Sequence, residues 1–453
     1  MVIMTEVVPV ELEIPNQVSS ETVAQPAKTG SLVIKLPWKR PDLKVALVSK
    51  FSPTREGGVE YFCNLAKSVS TLCPAVGIAN FDPGAPTVEP NSRLNVLRVW
   101  QLNSLSYPFR ILKTCIRLRS KVVHVNHEYM MYGKPFFGTF MPVLLFLLRI
   151  ARCPTLMTLH SVVPHESVWN GFFRRYGSQR LAPLKTLFFL AWTRLTLRLS
   201  THVIVHSQAS KNILADQYGY PAQNISVIGH GIEPSITMSR SAAKEFLGFN
   251  GRKVVLNFGY IHEKKGIEYL IRAMGEVMKA HPDSLLVVAG GPHVSHAARP
   301  SEFREYVDKL INAVNEVHGE NNVVLRTEYI PDDLLPIYFA SADVIALPYV
   351  EQFGTSGVLA RAMAAGRAVV ATRVNPFFEI IEEGVNGLLV DPANPHQLSS
   401  TIVRLLDSST LRESLGANLK SSARDLWWPD VAQMYVEVYS LIAGKGKSHR
   451  HHL

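Results

Sequence analysis

The feature that most constrains this chain is an alternation between short apolar runs and longer amphipathic stretches. In the first half, the apolar runs lie at residues 45–49, 121–125, 155–159 and 202–206. Such runs are typical of strands in a parallel sheet that is covered on both faces. Because both faces are buried, these strands are apolar throughout and do not alternate apolar with polar residues. Helix-periodic stretches, such as residues 59–69, separate the runs. The pattern predicts a doubly wound α/β domain.

The alternation restarts near residue 253, with apolar runs at residues 253–258, 285–289, 323–325, 344–347 and 368–371. A chain of 453 residues is long for one hydrophobic core, so we expect two domains. We place a flexible leader at residues 1–40, α/β domains at residues 41–235 and 236–425, and a basic tail at residues 443–453. The weakly patterned residues 233–252 would link the domains. Two such sheets facing each other form a cleft, and ligands bind at the carboxyl ends of the strands.

Positive charge is concentrated in the first domain. The net charge is +10, and residues 98–200 carry fifteen Lys or Arg against only two acids, Glu128 and Glu166. That stretch therefore contributes +13, and the rest of the chain about −3. A basic surface attracts lipid head groups, nucleic acid or anionic glycans, and charge alone does not choose among them. Four widely spaced cysteines indicate reduced thiols and a cytoplasmic location.

Gly57 and Gly58 follow the first apolar run and precede a helical stretch. Paired glycines let the backbone approach a ligand closely, and the following helix N-terminus offers N–H groups to an anion. A simple tight turn is the alternative. The loop is not a Walker phosphate loop, because no Gly-Lys-Ser/Thr follows it.

A second motif runs from Gly259 to Gly266 and carries Lys264 and Lys265 between a strand and a helix. A fixed ammonium group there favours the departure of a diphosphate, which gains charge as the bond to the sugar breaks. The alternative is a solvated basic turn.

A third motif runs from Glu351 through Ser356, Gly357 and Val358 into a helix. Small residues at a helix start expose N–H donors that suit phosphate, and the Glu351 carboxylate can accept sugar hydroxyl groups. Ordinary helix capping with close packing is the alternative.

Histidines follow two strands of the first domain, with His127 and Glu128 after one and His160 after the next. Side chains at consecutive strand ends face the same cleft. A single histidine in such a place is usually structural, but several together favour a functional role. No third ligand stands at helix spacing as in His-Glu-x-x-His, so we predict no metal and no cofactor.

The order and spacing of these motifs resemble the family 4 retaining glycosyltransferases, which have the GT-B arrangement of two Rossmann-like domains. The resemblance covers roughly residues 44–440, and His127-Glu128-Tyr129 resembles a subgroup with a His-Glu-aromatic segment. The residues that carry it are Gly57-Gly58, His160, Ser226-Val227-Ile228-Gly229-His230-Gly231-Ile232, Lys265-Gly266, Ser356-Gly357-Val358-Leu359, Ala362-Met363-Ala364-Ala365-Gly366, Val369-Val370-Ala371-Thr372, Glu379-Ile380-Ile381 and Asn386-Gly387-Leu388-Leu389-Val390.

The resemblance implies transfer of a mannose- or glucose-type hexose from a nucleoside-diphosphate sugar, with retention of configuration and without metal. The second domain would hold the donor, with Glu379 among its binding residues, and Lys265, Glu351 and His160 would be catalytic. The first domain would take a glycan, lipid or lipid-linked acceptor beside His127, Glu128 and His160. Residues 426–442 would form a last helix that crosses back to the first domain.

Three positions depart from the family pattern. Tyr260 stands where the family carries a diphosphate-binding arginine, and Lys264 or Arg252 would have to compensate. Alignment on Ala362-Met363 places Phe353 and Arg361 where the family carries two glutamates. Glu351 comes two residues early for the first glutamate. The donor and the recognition of its ribose therefore stay open, and a non-catalytic member is an alternative.

Two other classes of function remain open. One is a different GT-B enzyme, such as a sugar-nucleotide epimerase or a phosphorylase. The other is a non-catalytic basic module that binds glycan or nucleic acid. The absence of interleaved aromatic and basic residues argues against nucleic acid.

The basic stretch also predicts a membrane contact. Residues 136–150 and 184–199 are rich in Leu and Phe and carry flanking arginines, as basic amphipathic surfaces do. We predict that the first domain binds anionic membrane from the cytoplasmic side. The alternative is that both segments are core helices whose arginines face water.

Overall fold

The computed structural model describes residues 38–448 except 55, 91, 170–180, 235–237 and 294–298, with side chains described to residue 444. Most of the predicted leader, the end of the basic tail, Arg55, and Arg174, Arg175 and Arg180 of the basic stretch lie outside the described residues.

The first sheet has seven described parallel strands in the order β3-β2-β1-β4-β5-β6-β7. Its four central strands match the predicted runs to within two residues at each end. The strands are β1 Val45–Val48, β2 Ala75–Asn80, β3 Asn95–Trp100, β4 Val122–His127, β5 Thr155–Leu159, β6 His202–Val205 and β7 Ile225–Val227. Strands β2, β3 and β7 extend the predicted set toward the two edges.

The second sheet has six described parallel strands in the order β10-β9-β8-β11-β12-β13. The strands β8 and β11 begin and end at the predicted residues. The strands are β8 Lys253–Phe258, β9 Ser284–Ala289, β10 Val323–Arg326, β11 Val344–Leu347, β12 Ala368–Thr372 and β13 Leu388–Val390. Two parallel sheets of this kind confirm the predicted class of two Rossmann-like α/β domains.

Helices cover both faces of each sheet and bury the apolar strand faces in separate cores. Those of the first domain are α1 Gly57–Leu72, α2 Tyr107–Leu118, α3 Pro135–Gly138, α4 Met141–Ile150, α5 His165–Ser167, α6 Ala182–Leu199 and α7 Gln208–Asn212. Those that follow are α8 Arg240–Leu247, α9 Ile267–Ala280, α10 Pro300–Glu316, α11 Leu335–Ser341, α12 Gly357–Ala365, α13 Phe377–Ile380, α14 Pro395–Asp407, α15 Ser409–Ser421 and α16 Trp428–Ser448.

Two predicted segments differ from the structure. The weakly patterned linker contains α8, which packs against α11 through Ala243 and binds Asp343 through the Lys244 ammonium at 2.5 Å. The segment 136–150 is two helices, because Pro142 begins a new helix at its first turn. Within the described ranges, no helix is long and apolar enough to cross a membrane.

The last helix, α16, packs into the core of the first domain although it follows the second domain in the chain. Its Tyr435 hydroxyl lies 3.0 Å from the Tyr61 hydroxyl of α1, and its Tyr439 hydroxyl lies 2.7 Å from Nδ1 of His124. The Trp428 ring lies directly on Gly231, where any side chain would collide with it. Gly231 therefore permits the chain to return across the first domain.

Candidate active site

The wall of the cleft in the first domain is built around Gly58. A Cβ on Gly58 would lie 2.9 Å from Oε2 of Glu128 and 3.1 Å from Cδ2 of His160, whereas a Cβ on Gly57 would meet nothing within 4 Å. Parallel strands bring their carboxyl ends to one edge. The structure thus brings together the predicted residues Gly58, Glu128 and His160, and only the second glycine is required by packing.

The ring of His160 is buried and both of its nitrogens contact protein atoms. Nε2 lies 2.6 Å from Oδ1 of Asn126, and Nδ1 lies 3.3 Å from Nε2 of His206. The Asn126 amide nitrogen donates to the Gly58 carbonyl at 3.0 Å, so its oxygen must face His160. His160 therefore donates from Nε2, and both ring nitrogens of this predicted catalytic and acceptor-side residue face protein atoms.

His206 contacts His160 and lies at the end of the predicted strand at residues 202–206. Its Nδ1 donates to the Ile228 carbonyl at 2.9 Å, which leaves Nε2 facing His160. Burial lowers the pKa of His206 to about 4, and burial together with the neighbouring His206 lowers the pKa of His160 well below its usual value. With these tautomers two unprotonated nitrogens face each other, so the neutral rings are in contact without a hydrogen bond between them. The sequence does contain a signal for His206, because it is the third histidine, after His127 and His160, to stand at the end of a consecutive strand.

Glu128, on the same side of the cleft, has a pKa near neutral pH. Burial raises its pKa to about 7, with a further rise from Glu56, while Lys50 opposes the shift. Lys50 itself binds Glu56 at 2.7 Å. A carboxyl group with a pKa near neutral pH can exchange a proton with a bound hydroxyl group.

His127 lies apart from Gly58, on the side of β4 that faces α6. Its ring packs against Tyr129 and Trp192, and burial lowers its pKa to about 4. With Ser161 it lines a mostly apolar cavity under α6. Nδ1 of His127 has no hydrogen-bond partner among the described residues.

The wall of the second domain joins the lysine motif to the strand that precedes α12. Gly266 has φ +64° and lies against the Pro348 carbonyl, where no side chain fits. The Val350 N–H donates to the Lys264 carbonyl at 2.9 Å. Only glycine takes this conformation and this approach without strain, so Gly266 fixes the two lysines at the cleft.

The two lysines have different partners. Nζ of Lys264 lies 2.7 Å from Oε2 of Glu351 and 4.9 Å from the centroid of the Phe353 ring. Nζ of Lys265 lies 3.6 Å from the centroid of the Tyr349 ring, an electrostatically favourable position for a cation. The charge of Lys264 is thus paired with a carboxylate, whereas Lys265 faces an aromatic ring.

The N-terminus of α12 lies beside these lysines. The Ser356 hydroxyl accepts the Leu359 N–H at 3.3 Å and lies 3.4 Å from the Tyr349 hydroxyl, so Ser356 caps the helix. A Cβ on Gly259 would lie 3.0 Å from Val358. The N–H groups of Gly357 and Val358 have no acceptor within the helix, which makes this end a place for an anion.

The family arginine position is occupied by an aromatic cluster. The Tyr260 ring lies 5.6 Å from that of His293 and 6.4 Å from that of Tyr329, and burial raises its pKa. The prediction that Arg252 compensates is wrong. Its guanidinium binds the carbonyls of Ser284 and Asn321 before β8 begins, and the cleft lies beyond the opposite end of that strand. Lys264 pairs with Glu351, so Lys265, over the Tyr349 ring, is the lysine of this motif that has no carboxylate partner among the described residues.

Two charged residues of the second domain, Glu379 and Arg361, contact the first domain. Both carboxylate oxygens of Glu379, a predicted donor-binding residue, accept backbone N–H groups of Gln208 and Ala209 at 2.7 and 2.8 Å. Arg361, at the position of the second family glutamate, binds Glu60 of α1. These contacts join the two walls, and the positive charge at position 361, where the family has a negative one, is paired with Glu60.

Within the part of the chain that the structure describes, no three His, Cys, Asp or Glu side chains form a group that could hold a metal. Cys63, Cys73, Cys115 and Cys153 are free thiols.

Comparison with known proteins identifies the class. Anabaena HepE, solved with UDP, superposes with a TM-score of 0.69 at 19% identity over 88% of this chain and all of its own. Sucrose-phosphate synthase of Thermosynechococcus elongatus gives 0.67 at 18% identity, over 89% of this chain and all of its own. The fold is therefore the GT-B fold of glycosyltransferases.

Residues 57–236 match the model for Glycosyltransferase Family 4, and residues 252–408 match that for Glycosyl transferases group 1. The chain belongs to the family 4 glycosyltransferases and is a transferase. An uncharacterized glycosyltransferase of Methanocaldococcus jannaschii is 26% identical over 88% of this chain and 98% of its own. D-inositol 3-phosphate glycosyltransferase of Corynebacterium kroppenstedtii is 30% identical over 54% of each chain. The match thus spans about half the length of that relative.

Proposed function

We propose that the protein is a retaining hexosyltransferase that moves a mannose- or glucose-type sugar from a nucleoside-diphosphate donor to a glycan, lipid or lipid-linked acceptor. The observation that carries the proposal is the convergence of Lys265 and the N-terminus of α12 around Tyr349. One fixed cation and two helix N–H groups, those of Gly357 and Val358, suit a diphosphate.

In the proposed mechanism the donor diphosphate lies between Lys265 and Gly357. The ammonium group and the helix N–H groups stabilise the charge that develops on the leaving phosphate as the sugar departs, which lowers the barrier more than it favours donor binding. Glu351, already oriented by Lys264, accepts sugar hydroxyl groups. Solved relatives support the donor class, because Anabaena HepE has been crystallised with UDP-glucose as well as UDP.

The acceptor, in this proposal, approaches the first domain beside Gly58 and Glu128. Retention of configuration and metal independence are part of the proposal, and the neutralising groups above support transfer without a metal. Glu128, with its pKa near 7, is placed to bind an acceptor hydroxyl, and His160 holds the wall behind it. We also infer that the first domain contacts the cytoplasmic face of a membrane.

A thermal-shift screen against nucleoside diphosphates and their sugars tests the proposal. A ligand present at 100 times its dissociation constant stabilises the protein by about 2.7 kcal/mol. We expect one nucleoside diphosphate and its hexose to raise the Tm, and NMR of the product to show the anomeric configuration of the donor. If no nucleoside diphosphate raises the Tm, the proposal is contradicted.

A further inference from the structure

Three neighbouring helices of the first domain form an unusual outer surface, which we call the three-helix face. It consists of the outward sides of α2, α4 and α6, with α4 packed between the other two. The inward sides of these helices join the core through residues such as Ile111, Leu144 and Leu190. One side of each helix is therefore buried against the core of the first domain, as in any α/β domain.

The outward side of the three-helix face is also apolar. Eight large apolar side chains on it are at least half exposed: Phe109, Ile116, Phe146, Ile150, Leu184, Leu187, Phe188 and Leu195. On α6 the residues Leu184, Leu187, Phe188 and Leu195 recur at helical spacing and form one stripe along the outer surface. A contiguous exposed apolar surface of this kind marks an interaction site.

The charge on the same helices has one sign. Arg110, Lys113 and Arg117 stand on α2, Arg149 on α4, and Lys185, Arg194 and Arg198 on α6, while none of the three helices contains Asp or Glu. A protein partner with ordinary mixed charge would leave these cations uncompensated. A partner that is both negatively charged and apolar complements the cations and the apolar side chains of this surface. An anionic bilayer has this chemistry, with charged head groups above an apolar interior.

A basic pocket lies at the edge of the three-helix face, where α4 and α6 end. It is lined by Arg149, Arg198, Thr201, Tyr220 and Asn224, with no acidic residue in its lining. The Arg149 guanidinium donates to the Arg198 carbonyl at 3.0 Å, which uses one of its five N–H donors. The remaining donors of the two arginines suit a phosphate group, which guanidinium binds with two parallel hydrogen bonds.

The pocket and the apolar stripe share a border. Ile150 follows Arg149 directly, and Leu195 precedes Arg198 by about one turn. A lipid whose acyl chains cover the stripe would place its phosphate at this pocket. The other end of α6 lies on the cleft side, because a helix that connects parallel strands runs antiparallel to them. A bilayer along α6 would thus reach the rim of the cleft.

We propose that the three-helix face docks on an anionic phospholipid bilayer, with the Leu184–Phe188 end of its stripe in the interface and a lipid phosphate bound between Arg149 and Arg198. This inference gives a location and a ligand to the membrane contact of the proposed function. It would deliver a membrane-held acceptor to the cleft from the side of the first domain.

Co-sedimentation of the full-length protein with vesicles tests the proposal without any sugar donor. The vesicles contain phosphatidylcholine alone or phosphatidylcholine with phosphatidylglycerol. We expect binding to the anionic vesicles at low salt and much weaker binding at about 1 M salt, where the screening length falls to about 3 Å.

Two double variants and one control assign the binding to this surface. Arg149→Gln with Arg198→Gln should weaken binding to anionic vesicles by about 30-fold, the loss expected for two cations at the bilayer surface. Leu184→Ser with Phe188→Ser should abolish the binding that remains at high salt. Arg304→Gln with Lys309→Gln removes two exposed charges from α10 of the second domain and should change binding less than twofold.

Three results would overturn the proposal: equal binding to neutral and anionic vesicles, binding to neither, or an equal loss in the control variant. A wild-type dimer in solution that Leu184→Ser with Phe188→Ser converts to monomer, without vesicle binding, would show that a second copy covers the face instead. Unchanged circular dichroism of each variant shows that it is folded. Donor binding measured in parallel separates failure of this inference from failure of the proposed function.

Discussion

Replacement of Lys265 gives the sharpest test of how the leaving group is stabilised. Lys265→Met keeps an unbranched side chain over the Tyr349 ring and removes only the charge. Two unit charges about 4 Å apart interact by about 4 kcal/mol at an effective dielectric constant of about 20. Loss of one preorganised donor at a developing oxyanion typically costs 10²–10³-fold in kcat. We therefore expect a fall in kcat on the order of 10²–10³-fold.

Lys264 provides the matched control, because it adjoins Lys265 in the chain and differs in its partner. Its ammonium already binds Glu351 at 2.7 Å, so its charge is largely neutralised before a donor enters. Lys264→Met should lower kcat by no more than about tenfold, a loss of about 1.4 kcal/mol or less. The assay is the initial rate of nucleoside diphosphate release at saturating donor. Equal losses in the two variants, or a loss below threefold for Lys265→Met, would show that Lys265 does not stabilise the leaving group.

Three further predictions concern the glycine pair of the first domain, the effect of EDTA on transfer, and the pH dependence that Glu128 gives to stability. Gly58→Ala places a methyl group 2.9 Å from Glu128 and should lower kcat/KM at least tenfold, whereas Gly57→Ala, with open space around it, should stay within twofold in the same assay. Transfer should persist in EDTA, and complete loss that a divalent ion restores would contradict the proposed mechanism. The pKa of Glu128, raised by burial to about 7, lies above that of an unfolded glutamate, so stability from this group is present at low pH and lost as pH rises through 7. Between pH 5 and pH 8 the free energy of unfolding of the wild type should therefore fall by up to about 3 kcal/mol more than that of Glu128→Gln, measured by chemical denaturation. The same pH dependence in both proteins would count against a raised pKa of Glu128.

The interior strands were predictable because burial on both faces makes their sequence continuously apolar. The strands β8 and β11 lie in the middle of the second sheet and were placed to the residue. The strand β3 was not predicted, because it lies at the edge of its sheet and its exposed Asn95 and partly exposed Arg98 break the run. The helix α8 was missed because its eight residues give only about two periods of the helical pattern.

The site was predictable where glycine or strand position fixes the geometry. Gly58 and Gly266 are demanded by backbone approach, and the sequence shows them directly. Side-chain pairing was not predictable. That Lys264 pairs with Glu351, and Arg361 with Glu60, depends on the packing of segments far apart in the chain. The prediction that Arg252 compensates for the missing arginine is wrong because Arg252 lies at the opposite end of β8 from the cleft. Residue spacing alone does not show at which end of a strand a side chain lies.

A crystal structure of the protein with the nucleoside diphosphate that raises its Tm would show directly where the phosphates bind. We predict that the phosphates lie within hydrogen-bonding distance of Nζ of Lys265 and of the backbone nitrogen of Gly357, with the Tyr349 ring beneath the lysine. Phosphates bound elsewhere, at Arg361 for example, with Lys265 more than about 4 Å from any phosphate oxygen, would show that Lys265 and α12 do not form the diphosphate site.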